Sequence, residues 1–369
     1  MRLARLHPQP LPRRDFIKFM GAAATVASMN SLAAPAAAPL PQVPLGLDAH
    51  SVRAMGWKAR QLIDYAAELK LDAVLFNTLK PLESLESAHL RSLREVAAAR
   101  GLRLYLGVGS VAEGSTVFSK EHGSAEALLA LGVRVATELG SPVVNCRIGA
   151  LPDRLTPGGI EARIAELLKV LKAVRTRALD AGVKFAVENH AGDLRSEELL
   201  QLVQTAGTEV TGVMLDPGNA VWAMEDPMRQ LELLGPHVLC TSVRDWMVWE
   251  SPEGATFQWT AIGEGLMDVP AFLGLMQRHC PAAPLNLEII SNSPRPIPFL
   301  RRDHWQVYPK LPAAGIVDFL TLCRRGRPLE PVKPPAGTDP KAFEKQYQRA
   351  EFERSVAVMR RYGAGLKSW

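Results

Sequence analysis

In the second half of the chain, short apolar runs end in polar groups whose types could do chemistry. They are Glu188-Asn189-His190, Asp216-Pro217-Gly218-Asn219, Ser242-Val243-Arg244-Asp245 and, within the last run, Glu288. Brought to one mouth, the carboxylates of Glu188, Asp216 and Glu288 would repel one another and raise each other's pKa in a partly desolvated pocket. A divalent cation is the simplest neutraliser. Oxygen ligands with open positions suit Mn²⁺ or Mg²⁺, and those positions could take a substrate's adjacent hydroxyl and carbonyl oxygens as a chelate. His190 stands two residues beyond Glu188, which returns it to the same side of an extended strand, where it could meet substrate. Arg147 ends an earlier run and could clamp a substrate oxygen or pair with Asp216 or Glu188.

Positioning such groups requires elements whose ends converge. Eight apolar runs can be counted, at 43–48, 73–77, 103–109, 142–147, 184–188, 211–216, 238–243 and 285–290. Their near-continuous apolarity fits strands covered on both faces, as in a parallel sheet. Amphipathic segments lie between them, most clearly Ile160, Ile164, Leu167, Leu168, Leu171 and Val174, spaced by three and four. Eight strand-then-helix units predict an α/β fold, a (β/α)8 barrel over residues 43–325, with reactive groups at the carboxyl ends of the strands. No G-x-G-x-x-G follows the first run and no Walker sequence occurs. Residues 326–340 read as a proline-rich linker, and 341–362 as a C-terminal helical extension with Phe343, Tyr347, Phe352, Val356 and Met359 on one side. That helix could pack across the barrel or against a second subunit of a homo-oligomer.

Taken together, Val187-Glu188-Asn189-His190, Leu215-Asp216-Pro217-Gly218-Asn219, Arg244-Asp245, Gly263-Glu264-Gly265-Leu266-Met267-Asp268 and Leu287-Glu288 make residues 43–325 resemble the sugar phosphate isomerase/epimerase group of the xylose isomerase-like barrels. The resemblance implies one divalent metal held by Glu188, Asp216 and Glu288, with Ser242 where the family's histidine ligand belongs and Asn219 where a second histidine often stands. It also implies that Glu188 and Glu288 pass a proton on and off a carbon beside a carbonyl, so an isomerase, epimerase or lyase acting on a keto sugar or sugar derivative is expected. Gln258 is a candidate replacement ligand through its amide oxygen. Asn219, Arg244 and Trp246 are candidate substrate contacts beside Arg147 and His190, and two of Trp246, Trp249, Trp259 and Trp305 are expected to offer flat faces to a sugar. His50 could face either pocket or surface.

The first 36 residues read as a twin-arginine export leader: Arg13-Arg14-Asp15-Phe16-Ile17-Lys18 precedes a mildly apolar, alanine-rich run. A periplasmic protein without stable membrane insertion is therefore expected. This leader supplies +4 of the formal +5 charge, so the remainder is nearly neutral and offers no basic face for nucleic acid. The four cysteines form no C-x-x-C pair and read as buried free thiols. A carbohydrate-binding barrel that lost its metal along with the histidine is the alternative from another class.

Overall fold

The computed structural model describes residues 43–365. Residues 1–36, read above as an export leader, lie outside them. Eight parallel strands form the central sheet: β1 (Leu45–Asp48), β2 (Ala73–Phe76), β3 (Arg103–Ser110), β4 (Val143–Arg147), β5 (Lys184–Glu188), β6 (Thr211–Leu215), β7 (Val238–Thr241) and β10 (Leu285–Leu287). They run in the order β10-β1-β2-β3-β4-β5-β6-β7. A parallel bridge between Val243 and Leu287 closes the ring beyond β7. There Val243 N–H donates to Asn286 C=O (2.8 Å) and Glu288 N–H to Val243 C=O (2.9 Å). The fold is thus the expected (β/α)8 barrel, each apolar run of the sequence containing one strand.

Alternation along the strands sorts the core into two layers. Ala73, Leu75, Tyr105, Val143, Ala186, Met214 and Cys240 fill the barrel interior. Their neighbours, such as Val74, Phe76, Val144, Phe185 and Val213, face outward into a much larger cluster under the helices. Burial on both faces explains why the strands read as continuous apolar runs. The interior is tight at β1, where a Cβ on Gly46 would sit 2.2 Å from Asn286 Oδ1. All four cysteines are buried and free.

The outer layer comprises α1 (Ala59–Glu68), α2 (Ser87–Ala99), α3 (Ala125–Leu139), α4 (Gly159–Ala181), α5 (Ser196–Ala206), α6 (Pro217–Trp222), α7 (Pro227–Leu234) and α8 (Val269–His279), followed by α9 (Val317–Arg325) and α10 (Pro340–Arg361). In α4 the buried stripe is Ile160, Leu167, Leu171 and Val174, as its spacing predicts. Phe352, Val356 and Met359 of α10 are buried. This helix packs across the barrel's own seam: Tyr65 Oη of α1 donates to Glu353 (3.2 Å), Ser355 Oγ accepts from Ile262 N–H (3.1 Å), and just beyond its end Gly365 N–H donates to Val43 C=O (2.9 Å). It fills the place an eighth helix would take.

One element went unread in the sequence. After β7 the chain forms an antiparallel hairpin, β8 (Asp245–Ser251) and β9 (Gly254–Thr260), joined by β11 (Arg295–Ile297). It stands over the carboxyl ends of the barrel strands, where the polar groups collect. Among the described residues, no helix is long and apolar enough to cross a membrane.

Candidate active site

Glu188, Asp216 and Glu288 meet at the barrel mouth, each offering a carboxylate oxygen within 4.8 Å of the others, and all three are buried. Local sequence sets up Asp216. It caps α6, its Oδ1 accepting from Asn219 N–H (3.0 Å) and its Oδ2 from Asn219 Nδ2 (2.6 Å), with Pro217 pre-set for the first helical position. Asn189 locks the neighbouring strand end, donating to Asp216 C=O (2.7 Å) and accepting from Asp216 N–H (3.0 Å). Asn219 therefore positions Asp216 through its N–H and Nδ2, while its Oδ1 has no partner among the described residues.

Arg244 corrects an expectation. Instead of reaching toward substrate, its Nη2 donates to both Asp216 Oδ2 and Glu288 Oε2, and only 2% of the residue is exposed. The guanidinium lies 4.1 Å from the Trp259 ring centroid. Gly218 leaves it room, since a Cβ there would approach Arg244 Cγ to 2.4 Å. A cation is thus built into the carboxylate cluster. Although burial works against ionisation, Arg244 holds Glu288 below the usual carboxylate range. Burial instead pushes Asp216 up to about 7 against the pull of Arg244. Glu188 is raised as well, by burial first, with Arg147 opposing.

Ser242, at the position where the resemblance implies a histidine, sits between two carboxylates. Its Oγ lies 2.7 Å from Glu288 Oε2 and 3.0 Å from Asp48 Oδ2. One hydroxyl hydrogen cannot serve both carboxylates at once. Asp48 is fully buried, and desolvation raises its pKa, with the charge of Glu288 adding to the effect. Asn77 Nδ2 also donates to Asp48 Oδ2 (2.6 Å). The sequence reading passed over Asp48 and Asn77, although the strand-end rule applied to the later strands picks out both.

Arg147 lies 3.8 Å from Glu188 Oε2 with its side chain about a quarter exposed, which favours pairing with that carboxylate. His190 Nδ1 bonds the Gly149 carbonyl, which can only accept, so Nδ1 carries the hydrogen and Nε2 is an acceptor. Burial and then Arg147 lower its pKa to about 3, so the ring is neutral. Its backbone N–H donates to Asp193 Oδ1 (2.7 Å), whose Oδ2 accepts from Gly149 N–H (2.9 Å), fixing the two loops together. Asp193 carries no sequence signal of this task. Asp245 pins the Gly263–Met267 loop by accepting from the N–H groups of Gly263, Gly265 and Met267 (2.9–3.0 Å).

Two further expectations fail. Trp246 is 1% exposed and packed in the core, which leaves it no open face for substrate; its cross-strand partner Trp259 lies beneath Arg244. Gln258 adjoins Trp259 on β9 and so points to the opposite face. It lines a different cavity, with Glu264, Ser291 and Tyr347, and does not join the triad.

The spacing of the triad fits a shared divalent ion, which would draw on oxygens that Arg244 already contacts. Among curated proteins, the chain is 25% identical over 232 residues to 3-oxo-isoapionate decarboxylase of Pectobacterium atrosepticum, covering 62% of this chain and 72% of that one. It is 24% identical over 218 residues to the uncharacterized protein YihM of Escherichia coli, covering 56% and 67%. The structure of a D-psicose 3-epimerase in the presence of D-fructose matches with a TM-score of 0.56 at 15% identity, over 86% of this chain and 99% of that one, a likeness of fold. Residues 63–307 match the xylose isomerase-like TIM barrel family, and with the barrel topology above the chain belongs to that family.

Proposed function

We propose that this protein is an enzyme that removes and returns a proton beside a carbonyl in a small sugar derivative, as an isomerase, epimerase or lyase. The observation that carries the reading is the pairing of two unlike glutamates in one buried cluster. Glu288 is anchored by Ser242 and Arg244, whereas the Glu188 carboxylate has no hydrogen-bond partner among the described residues and pairs only loosely with Arg147, at 3.8 Å. Carboxylates in contrasting environments suit opposite roles in proton transfer. Glu188 is free to take the proton, and Glu288 faces it across the cluster. Arg147 and the Nε2 acceptor of His190 are positioned to orient substrate oxygens and hydroxyls. Glu188, Asp216 and Glu288 would hold a divalent ion, which when bound supplies polarisation of the carbonyl oxygen. Epimerisation and decarboxylation, named for two of the similar proteins, both develop negative charge beside a carbonyl, which supports the same chemistry here.

A second reading, a carbohydrate-binding barrel without catalysis, draws on Arg244 and Ser242, which satisfy Asp216 and Glu288 from within the chain. Deuterium exchange at the acidic carbon of keto sugars in heavy water separates the two. Exchange should occur with the parent and fall by about 10²–10⁴-fold in Glu188→Gln and Glu288→Gln at matched ion content. No exchange in the parent with any keto sugar would favour binding alone.

The Arg13-Arg14 leader supports a periplasmic location. Changing the pair to Lys-Lys should retain the protein in the cytoplasm; undiminished periplasmic yield would remove the assignment.

A further inference from the structure

Gln258, displaced from the triad, opens onto a cavity of about 590 Å³ on the same end of the barrel. Its walls are the β8–β9 hairpin, the loop after β9, the loop after β10, the end of α9 with the proline-rich segment, and the Tyr347–Glu351 turn of α10. The proline-rich segment is held down as a wall: Asn292 Nδ2 donates to Val332 C=O (2.6 Å), and Val332 N–H donates back to Asn292 Oδ1.

Polar groups on the floor of this cavity are buried yet incompletely used. Gln258 and Thr260 are 5% and 4% exposed, and neither Gln258 Oε1 nor Thr260 Oγ1 has a hydrogen-bond partner among the described residues. Natural proteins rarely keep such groups without a reason, because an unpaired buried oxygen lowers stability. Beside them the hydroxyls of Ser291 and Tyr347 lie 3.0 Å apart. Met247, Leu266 and Leu329 add apolar surface. A floor of amide and hydroxyl groups interleaved with apolar patches matches the surface of a polyhydroxylated ring.

The rim adds a charge preference. Arg325 and Arg327 line the opening, and neither takes part in a salt bridge or side-chain hydrogen bond among the described residues. The facing acids are mostly engaged: Glu264 pairs with Arg354 (3.1 Å), and Glu351 accepts from Ser291 (2.6 Å) and is 2% exposed, leaving Glu330. A planar guanidinium suits a carboxylate, and this opening has two.

We propose that this cavity is an accessory binding site for an acidic sugar, its hydroxyls on Gln258, Thr260, Ser291 and Tyr347 and its carboxylate on Arg325 and Arg327. The site shares no lining residue with the carboxylate triad, so it stands independently of the catalytic reading.

Ligand-observed NMR and calorimetry on the full chain test it, with glucuronate, galacturonate and gluconate as probes and glucose as the uncharged control. At least one acidic probe should bind saturably, about tenfold more tightly than glucose. Its affinity should fall at least tenfold in Gln258→Leu and in the surface double variant Arg325→Gln/Arg327→Gln, and stay unchanged in Glu188→Gln. The double variant keeps the test valid if Gln258→Leu misfolds. Three results each overturn the proposal: no saturable binding of any acidic probe, binding equal to that of glucose, or binding lost in Glu188→Gln but kept in the arginine variant.

Discussion

The two halves of the carboxylate cluster are built by different means. On the β5–β6 side, Asp216 is held by Asn189 and Asn219, both within 27 residues of it, through hydrogen bonds to a helix cap and a neighbouring strand end. On the β7–β10 side, Glu288 is held by Ser242 and Arg244, from 46 and 44 residues away, and Arg244 is itself seated by Trp259 and by the space Gly218 leaves. The first half orients its carboxylate with neutral amides. The second half supplies the countercharge, Arg244, which reaches both Asp216 and Glu288. A barrel mouth can therefore hold three carboxylates together when a cation arrives from elsewhere in the fold.

Removing that cation is the strongest way to break the comparison. Arg244→Met leaves Asp216 and Glu288 as uncompensated buried charges, for which a loss of about 3–5 kcal/mol is expected in chelator-treated protein. Added Mn²⁺ should restore most of it and bind more tightly than to the parent, because the shared oxygens are freed. Chemical denaturation with and without the ion, together with titration calorimetry, measures both. A variant as stable as the parent in chelator would mean that Arg244 does not balance the cluster.

A smaller effect is expected on the other half. Asn219→Ala removes the Nδ2 bond to Asp216 but leaves the backbone cap, so a loss of about 1–2 kcal/mol should follow, with little dependence on Mn²⁺. Equal ion dependence in the two variants, read from the same denaturation curves, would erase the distinction between scaffold and countercharge.

Much of this arrangement was open to sequence reasoning. Parallel strands buried on both faces must be continuously apolar, and a polar residue ending such a run must sit at the mouth, so the barrel and the three carboxylates follow from pattern alone. The same rule reaches Asp48 and Asn77 when applied to the first two strands. The hairpin over the mouth escaped because its alternation lies between two barrel strands in a stretch that otherwise reads as one long connection.

What the sequence by itself determined is thus the fold and the identity of the acids, since both depend on local periodicity and on where it stops. Only the tertiary structure decided the partners. Trp246 and Trp259 are cross-strand partners and both buried, yet only Trp259 lies beneath Arg244; Gln258 and Trp259 are adjacent, yet the pleat of β9 sends them to opposite faces. Whether Arg244 meets substrate or carboxylate depends on a gap of one missing Cβ at Gly218 and on a ring from another strand. Such choices are made by side-chain packing between segments distant in the chain, and no spacing in the sequence encodes them.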